Sequence, residues 1–291
     1  MKISEILSAH PVTLSFEVFP PKTEAGVETV EAAAREIAAL GPHFMSVTYG
    51  ADGGASAYTA RVASDIQNGI GTPVLAHLTC VAATKEKIGH MLDTYRDCGV
   101  NNIMALRGDI PEGGRSCFDY QYAADLVRAI KEADPAFCVG GACYPEVHPE
   151  SANQREDILH LREKVDAGCD FLTTQMFFDN NLLYNFLYKL REAGVTVPVL
   201  PGIMPITKGN QVKRAIALSG AHMPQRFKAL VDKFGSDPAA MKQAGIVYAT
   251  DQIIDLFANG VGHVHVYTMN DPSVARGILA NLSDILAMSR S

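Results

Sequence analysis

The sequence predicts a single-domain α/β fold, a parallel (β/α)8 (TIM) barrel, on three observations. Short apolar, β-branched runs recur eight times, and amphipathic segments of helical period separate them. No Pro/Ser-rich linker, charge block or low-complexity stretch interrupts the 291 residues, so residues 1–291 read as one catalytic barrel. Regular alternation of strand and helix is the pattern of a parallel sheet, whose neighbouring strands need crossover connections.

The first run is TLSFEVF, residues 13–19, in which Val12, Leu14, Phe16, Val18 and Phe19 read as a buried strand ended by Pro20-Pro21. Glu17 sits inside it and must point into a core or a pocket, where a carboxylate is costly unless something uses it. Val27, Val30, Ala34, Ile37 and Leu40 then recur at helical spacing. FMSVTYG (44–50) and VLAHLTC (74–80) are the next two strands, and Ile88, Met91, Leu92 and Tyr95 mark one face of the helix that follows. NIMALRGD (102–109), FCVGGACYP (137–145), FLTTQMFF (171–178), VPVLPGIMPI (197–206) and HVHVYTM (263–269) complete the eight.

Composition narrows the function. Apolar residues make up 47% and charged residues 20%, proportions of a soluble globular protein with a sizeable core. The net charge of −7, with no Lys/Arg-rich stripe, argues against a nucleic-acid partner. Six cysteines without a CxxC pair indicate reduced thiols rather than a zinc site or a disulfide framework. The opening MKISEILSAHP is too polar for a signal peptide, and no apolar run is long enough to span a bilayer. A cytoplasmic protein without a membrane partner is expected.

Barrel enzymes place their reacting groups at the C-terminal ends of the strands. Here those positions hold Glu17, Thr48, His77, Arg107 with Asp109, Tyr144 with Glu146 and His148, Gln175, the turn from Pro201 to Pro205, and Tyr267 with Asn270. Singly, each has a plain reading; His77 on an apolar strand is the pattern of a hydrogen-bonded core histidine. Jointly they point to a site. Neither GADGG nor VGGAC has the GxGxxG spacing of a dinucleotide fold. His263 and His265 share one face of the last strand, but no cluster of His and carboxylate partners accompanies them, so a satisfied polar contact is expected there and no metal.

SFEVFPPK, FMSVTYGADG, AHLTC, ALRGDIP, YPEVHPE, KVDAGCDFLTTQMFFD, PGIMPI and YTMN together resemble, in order and over nearly the whole chain, the motifs of the bacterial 5,10-methylenetetrahydrofolate reductases. The resemblance implies a flavoprotein oxidoreductase that uses FAD and NADH or NADPH to reduce 5,10-methylenetetrahydrofolate to 5-methyltetrahydrofolate for methionine synthesis. It also implies a homo-oligomer, and a barrel without the regulatory domain of the eukaryotic relatives.

Matched residue by residue, the resemblance makes Glu17 the acid that protonates the departing N10 nitrogen, kept protonated by burial and by a nearby Asp109. Asp109 and Gln175 are then the groups that hold the pterin, a carboxylate for paired N–H donors and an amide for the mixed edge. The FAD contacts implied are Thr48, Tyr49, Ala51, His77, Leu106, Arg107, Gly108, Asp109, Tyr122, Ala123, Tyr144, His148, Ser151, Asp157, His160 and Lys164. Asp157, His160 and Lys164 also fall at helical spacing, so one helix face offers an acceptor for ribose hydroxyls and a cation for the diphosphate. Three positions depart from some relatives: Gly209 in place of a stacking phenylalanine, and Asp271 and Glu163 in place of basic residues. Two alternatives stay open, a barrel that binds folate or flavin without turnover and a flavin-dependent dehydrogenase of another amine.

Overall fold

The computed structural model describes residues 1–21, 23–49, 55–81, 83–110 and 119–288. Among these, the eight runs appear as nine parallel strands: β1 (Thr13–Val18), β2 (Phe44–Val47), β3 (Val74–Thr79), β4 (Asn102–Leu106), β5 (Cys138–Cys143), β6 (Phe171–Thr174), β7 (Val199–Leu200), β8 (Gly202–Ile203) and β9 (His263–Tyr267). Their order is β7-β6-β5-β4-β3-β2-β1-β9-β8.

β7 and β8 are the two halves of the seventh run, expected as one strand. Pro201 lies between them and has no N–H for the ladder, so β7 pairs only with β6 and β8 only with β9. The ring still draws together, because His265 N donates to Pro201 O at 2.9 Å and Gly202 N donates to Thr174 Oγ1 at 2.8 Å. The result is a nearly closed (β/α)8-type barrel with one split stave.

Helix α1 (Ile3–Ala9) precedes the barrel, and α2 (Val27–Ala38), α3 (Ala55–Ser64), α4 (Lys85–Asp97), α5 (Ala123–Ala133), α6 (Gln154–Asp166) and α7 (Asn180–Glu192) are its first crossovers. α8 (Gln211–Ser219), α9 (Gln225–Phe234) and α10 (Pro238–Ala258) lie between β8 and β9, and α11 (Pro272–Asn281) and α12 (Ser283–Met288) follow β9. The predicted helix faces are the buried ones: Val27, Ala34 and Ile37 on α2, and Ile88, Met91, Leu92 and Tyr95 on α4.

Alternate residues of each strand face opposite sides. Leu14, Phe16 and Val18 join the shell between staves and helices, whereas Phe44, Leu75, Met104, Cys138, Phe171 and Leu200 fill one end of the barrel interior. Ile3, Ile6 and Leu7 of α1 close that end, with Ile3 N donating to the buried Asn102 Oδ1 at 2.8 Å. The opposite end, where the strands finish, carries the polar side chains.

Candidate active site

Strand register builds the site. Glu17 is level with Ser46 on β2 and Tyr267 on β9, and Ser15 is level with His265. Inward-facing residues of adjacent staves therefore meet near the mouth. Ser46 Oγ donates to Glu17 Oε2 at 3.0 Å. His77 Nε2 and His265 Nε2 lie 3.4 and 3.5 Å from the same oxygen. His265 is held on both sides, Nδ1 at 2.8 Å from Ser15 Oγ and Nε2 at 3.0 Å from Ser46 Oγ. Thr268 Oγ1 donates to the Glu17 carbonyl at 2.6 Å and Tyr95 Oη to the His77 carbonyl at 2.8 Å, which fixes both strand ends.

Burial alone would push the Glu17 carboxyl up, but the His265 contact, the charge of His77 and the Ser46 hydroxyl outweigh it and hold the carboxyl below the ordinary glutamate range. The expectation that burial and Asp109 keep Glu17 protonated is thereby corrected. Its neighbours are two histidines and a serine, which favour the anion, and Asp109 is an exposed residue beyond β4. Burial pushes the His77 imidazole down and the Glu17 charge offsets only part of that. Its Nε2 is buried without a hydrogen-bond partner.

The loops after β4, β5 and β6 bring a second group together. Burial and the charge of Asp109 push the Tyr144 phenol up, and the Gln175 side chain, hydrogen-bonded to it, opposes them; Asp109, Tyr144 and Gln175 are thus neighbours. Gln175 Oε1 also accepts from Met176 N at 2.9 Å. Tyr267 Oη donates to Thr174 O at 2.6 Å, tying β9 to β6 across the mouth.

A third group surrounds the start of α6. Asp157 is buried and accepts from His148 N at 3.1 Å and Ser151 Oγ at 3.3 Å, and the rings of Tyr144 and His148 are 4.6 Å apart. Lys164 Nζ donates to Ala142 O at 2.6 Å, and burial pushes its ammonium down. Arg107 forms a bidentate pair with Glu150, at 2.5 and 2.6 Å. Gly108 has φ 87°, and a Cβ there would lie 2.5 Å from Val81 Cγ1, so the chain turns closely at this point only because the residue is glycine.

Other expected contacts are more dispersed. Thr48 N donates to Val18 O at 3.0 Å, and Tyr49 packs on the core behind it. Leu106 packs on the interior cluster. Tyr122 is exposed before Ala123 opens α5, His160 is exposed on α6, and Ala51 lies outside the described residues.

Ser15 and Ser46 are residues that the sequence reading did not single out, and it read His265 only as a satisfied polar contact. The HVH pair is hydrogen-bonded as expected, His263 Nδ1 lying 3.1 Å from Thr13 Oγ1, but His265 also leads to Glu17. The signal was its position two residues before Tyr267, on the same strand face. Among the departures, a Cβ at Gly209 would lie 2.7 Å from Gly235 O, so this backbone has no room for a ring there. Asp271 caps α11 through Ser273 N at 3.0 Å and pairs with Lys242 Nζ at 2.7 Å. Glu163 is exposed.

The arrangement combines a carboxylate able to take up and release a proton, an amide and a carboxylate for a heterocycle edge, and cations along one bank. Among the described residues, no group of three His, Cys, Asp or Glu side chains is disposed to hold a metal ion, and no helix is long and apolar enough to cross a membrane.

The family model for methylenetetrahydrofolate reductase matches residues 2–283. The 5,10-methylenetetrahydrofolate reductase of Escherichia coli K12 is 34% identical over 271 residues, covering 93% of this chain and 90% of that protein. Methylenetetrahydrofolate reductase (NADH) 1 of Arabidopsis thaliana is 35% identical over 311 residues and 100% of this chain, which spans only 52% of that protein's length. Among solved structures, an uncharacterized protein from Clostridium thermocellum that binds two copies of 5-methyl-5,6,7,8-tetrahydrofolic acid aligns at TM-score 0.68 over 99% of this chain and 100% of that one. At 13% identity that likeness is one of fold.

Proposed function

Since this chain belongs to the methylenetetrahydrofolate reductase family, we propose that it reduces 5,10-methylenetetrahydrofolate to 5-methyltetrahydrofolate with FAD and NADH or NADPH. The observation that carries the reading is the Glu17 carboxyl, set at the barrel mouth against His77, His265 and Ser46. Opening the five-membered ring of the substrate to an iminium needs a proton at N10, and Glu17 is the group to deliver it. It is ionised before substrate arrives. A pterin seated over the mouth removes water and adds burial, which raises a carboxyl and favours proton uptake at the moment the proton is needed. His265, fixed by two serines, orients the carboxyl for that transfer. Asp109 accepts hydrogen bonds from the 2-amino and ring N–H groups of the pterin, and Gln175 donates and accepts at its mixed edge.

The residues along the other bank suit FAD. The His77 Nε2 atom is buried and without a hydrogen-bond partner, so it is open to a polar atom of a ligand. Arg107 and Lys164 supply cations for a diphosphate, Asp157 an acceptor for ribose hydroxyls, and Thr48, Tyr49, Leu106, Gly108, Tyr122, Ala123, Tyr144, His148, Ser151 and His160 complete the wall. Bound there, FAD would supply the hydride carrier. The same reading makes residues 1–291 one catalytic barrel of a cytoplasmic homo-oligomer; light scattering checks the assembly.

The test separates the two half-reactions of the FAD-reconstituted protein. Glu17→Gln keeps size and hydrogen bonding without a transferable proton. It should leave flavin reduction by the nicotinamide near the wild-type rate and slow folate reduction by about 10²–10⁴-fold, the range of a lost general acid. Equal loss in both would make Glu17 structural, and a protein that turns over no folate would leave only a binder.

A further inference from the structure

One lysine of α6 is turned inward without an opposite charge to meet it. Lys164 lies in the last turn of the helix, and its stem crosses β5 in the space that Gly141 leaves open: a Cβ on that glycine would lie 2.7 Å from Lys164 Cδ and 3.0 Å from Cys169 Sγ. Its Nζ donates to Ala142 O at 2.6 Å, and among the described residues it forms no ion pair. The amine is therefore held by a backbone dipole.

The groups that face it from each neighbouring element do not neutralise an ammonium. Cys143 on β5 and Cys169 before β6 are thiols that burial pushes up, Cys169 to about 12, so neither is a thiolate. Asp157, two turns back on α6, is the carboxylate whose charge reaches it, and that side chain already accepts from His148 N at 3.1 Å and Ser151 Oγ at 3.3 Å. His148, in the loop after β5, opposes a second positive charge when it carries one itself. Burial outweighs the weak attractions and pulls the ammonium below the ordinary lysine range. Arg107, the other cation of this bank, is committed to Glu150.

We propose that Lys164 takes up a proton from solvent as the FAD diphosphate binds, so that flavin affinity falls as pH rises above neutrality. The inference rests on the proposed function. One N–H of the amine stays on Ala142 O while the nitrogen lone pair accepts the incoming proton, and the N–H formed in this way is available to a phosphate oxygen. A diphosphate brings the negative charge that the residues around the amine do not supply, which favours the ammonium. A group that is protonated more readily in the complex than in the free protein binds a proton on association. The complex then weakens as pH climbs from the lower of the two pKa values to the higher.

Calorimetric titration of the FAD-free protein with FAD, in two buffers of different ionisation heat, counts the protons bound. At about pH 8.5 ordinary histidines are uncharged. There the wild type should take up roughly half a proton, and its Kd for FAD should rise about threefold per pH unit. Lys164→Arg, whose guanidinium stays charged throughout, should bind FAD with no proton uptake and a flat pH profile. Lys164→Met should bind more weakly and be equally flat. Circular dichroism identifies a variant that has not folded, and the other then decides. FAD binding to the wild type without proton uptake, or uptake that persists in a folded variant, overturns the inference while the proposed reaction stands. A wild-type protein that binds no FAD fails the proposed function and this inference together.

Discussion

At the scale of single residues, the charge on Glu17 governs how the proposed reaction depends on pH. A general acid works only when protonated, and contacts with His265, His77 and Ser46 hold this carboxyl below the ordinary glutamate range. Across the neutral range the protonated fraction therefore falls as pH rises, and oxidation of the reduced flavin by folate should slow with it, whereas flavin reduction should not. His265→Leu removes the foremost of the groups that favour the anion. With that stabilisation gone the carboxyl protonates more readily, so the limb of the pH profile should move to higher pH. Single-turnover rates against pH are the measurement; a limb that stays in place would reduce His265 to a space-filling role. Glu17 itself was legible because an acid in an apolar run has one economical explanation. Ser15, Ser46 and the link from His265 to Glu17 were not, because their meaning depends on cross-strand register between segments 29 to 250 residues apart.

At the scale of elements, the staves were legible and their closure was not. Period-two alternation marks which residues face inward, and all eight runs became strands, but pairing partners are a tertiary property. Pro201 signals that the seventh run is broken, since it has no donor for the ladder. What it does not reveal is that Gly202 then passes so close to its neighbours that a Cβ would lie 2.3 Å from Thr174 O and 2.4 Å from Tyr267 Oη. A backbone oxygen of a paired strand cannot give way cheaply. Gly202→Ala should therefore lower the urea midpoint at unchanged m, a destabilisation of about 1–3 kcal/mol from overpacking. A midpoint within error of the wild type would mean that the split stave yields more easily than its contacts imply. Helix α1 escaped the sequence reading for a different reason: seven residues are too few for a periodic signal, and its Ile3, Ile6 and Leu7 acquire meaning only against the interior cluster they cover.

At the scale of the whole molecule, that small helix limits the possible order of events. With α1 packed across one end of the barrel, the described residues leave the interior polar groups open to the end that carries Glu17, Asp109 and Gln175. The proposed reaction has two bulky partners, a nicotinamide dinucleotide and a folate, and each must bring a reacting carbon to the same flavin. In the proposed reading the flavin lies against Arg107, Tyr144, His148 and Lys164, and the Glu17 cluster borders the same mouth. A single mouth serving both partners favours their taking turns. The nicotinamide should deliver its hydride and leave before the folate enters, so initial rates at several fixed concentrations of one substrate should give parallel double-reciprocal lines. Each substrate in excess should inhibit competitively against the other, because each then occupies the form of the enzyme meant for its partner. Intersecting lines would show a ternary complex and require a second approach to the flavin, which the closed end of the barrel does not offer.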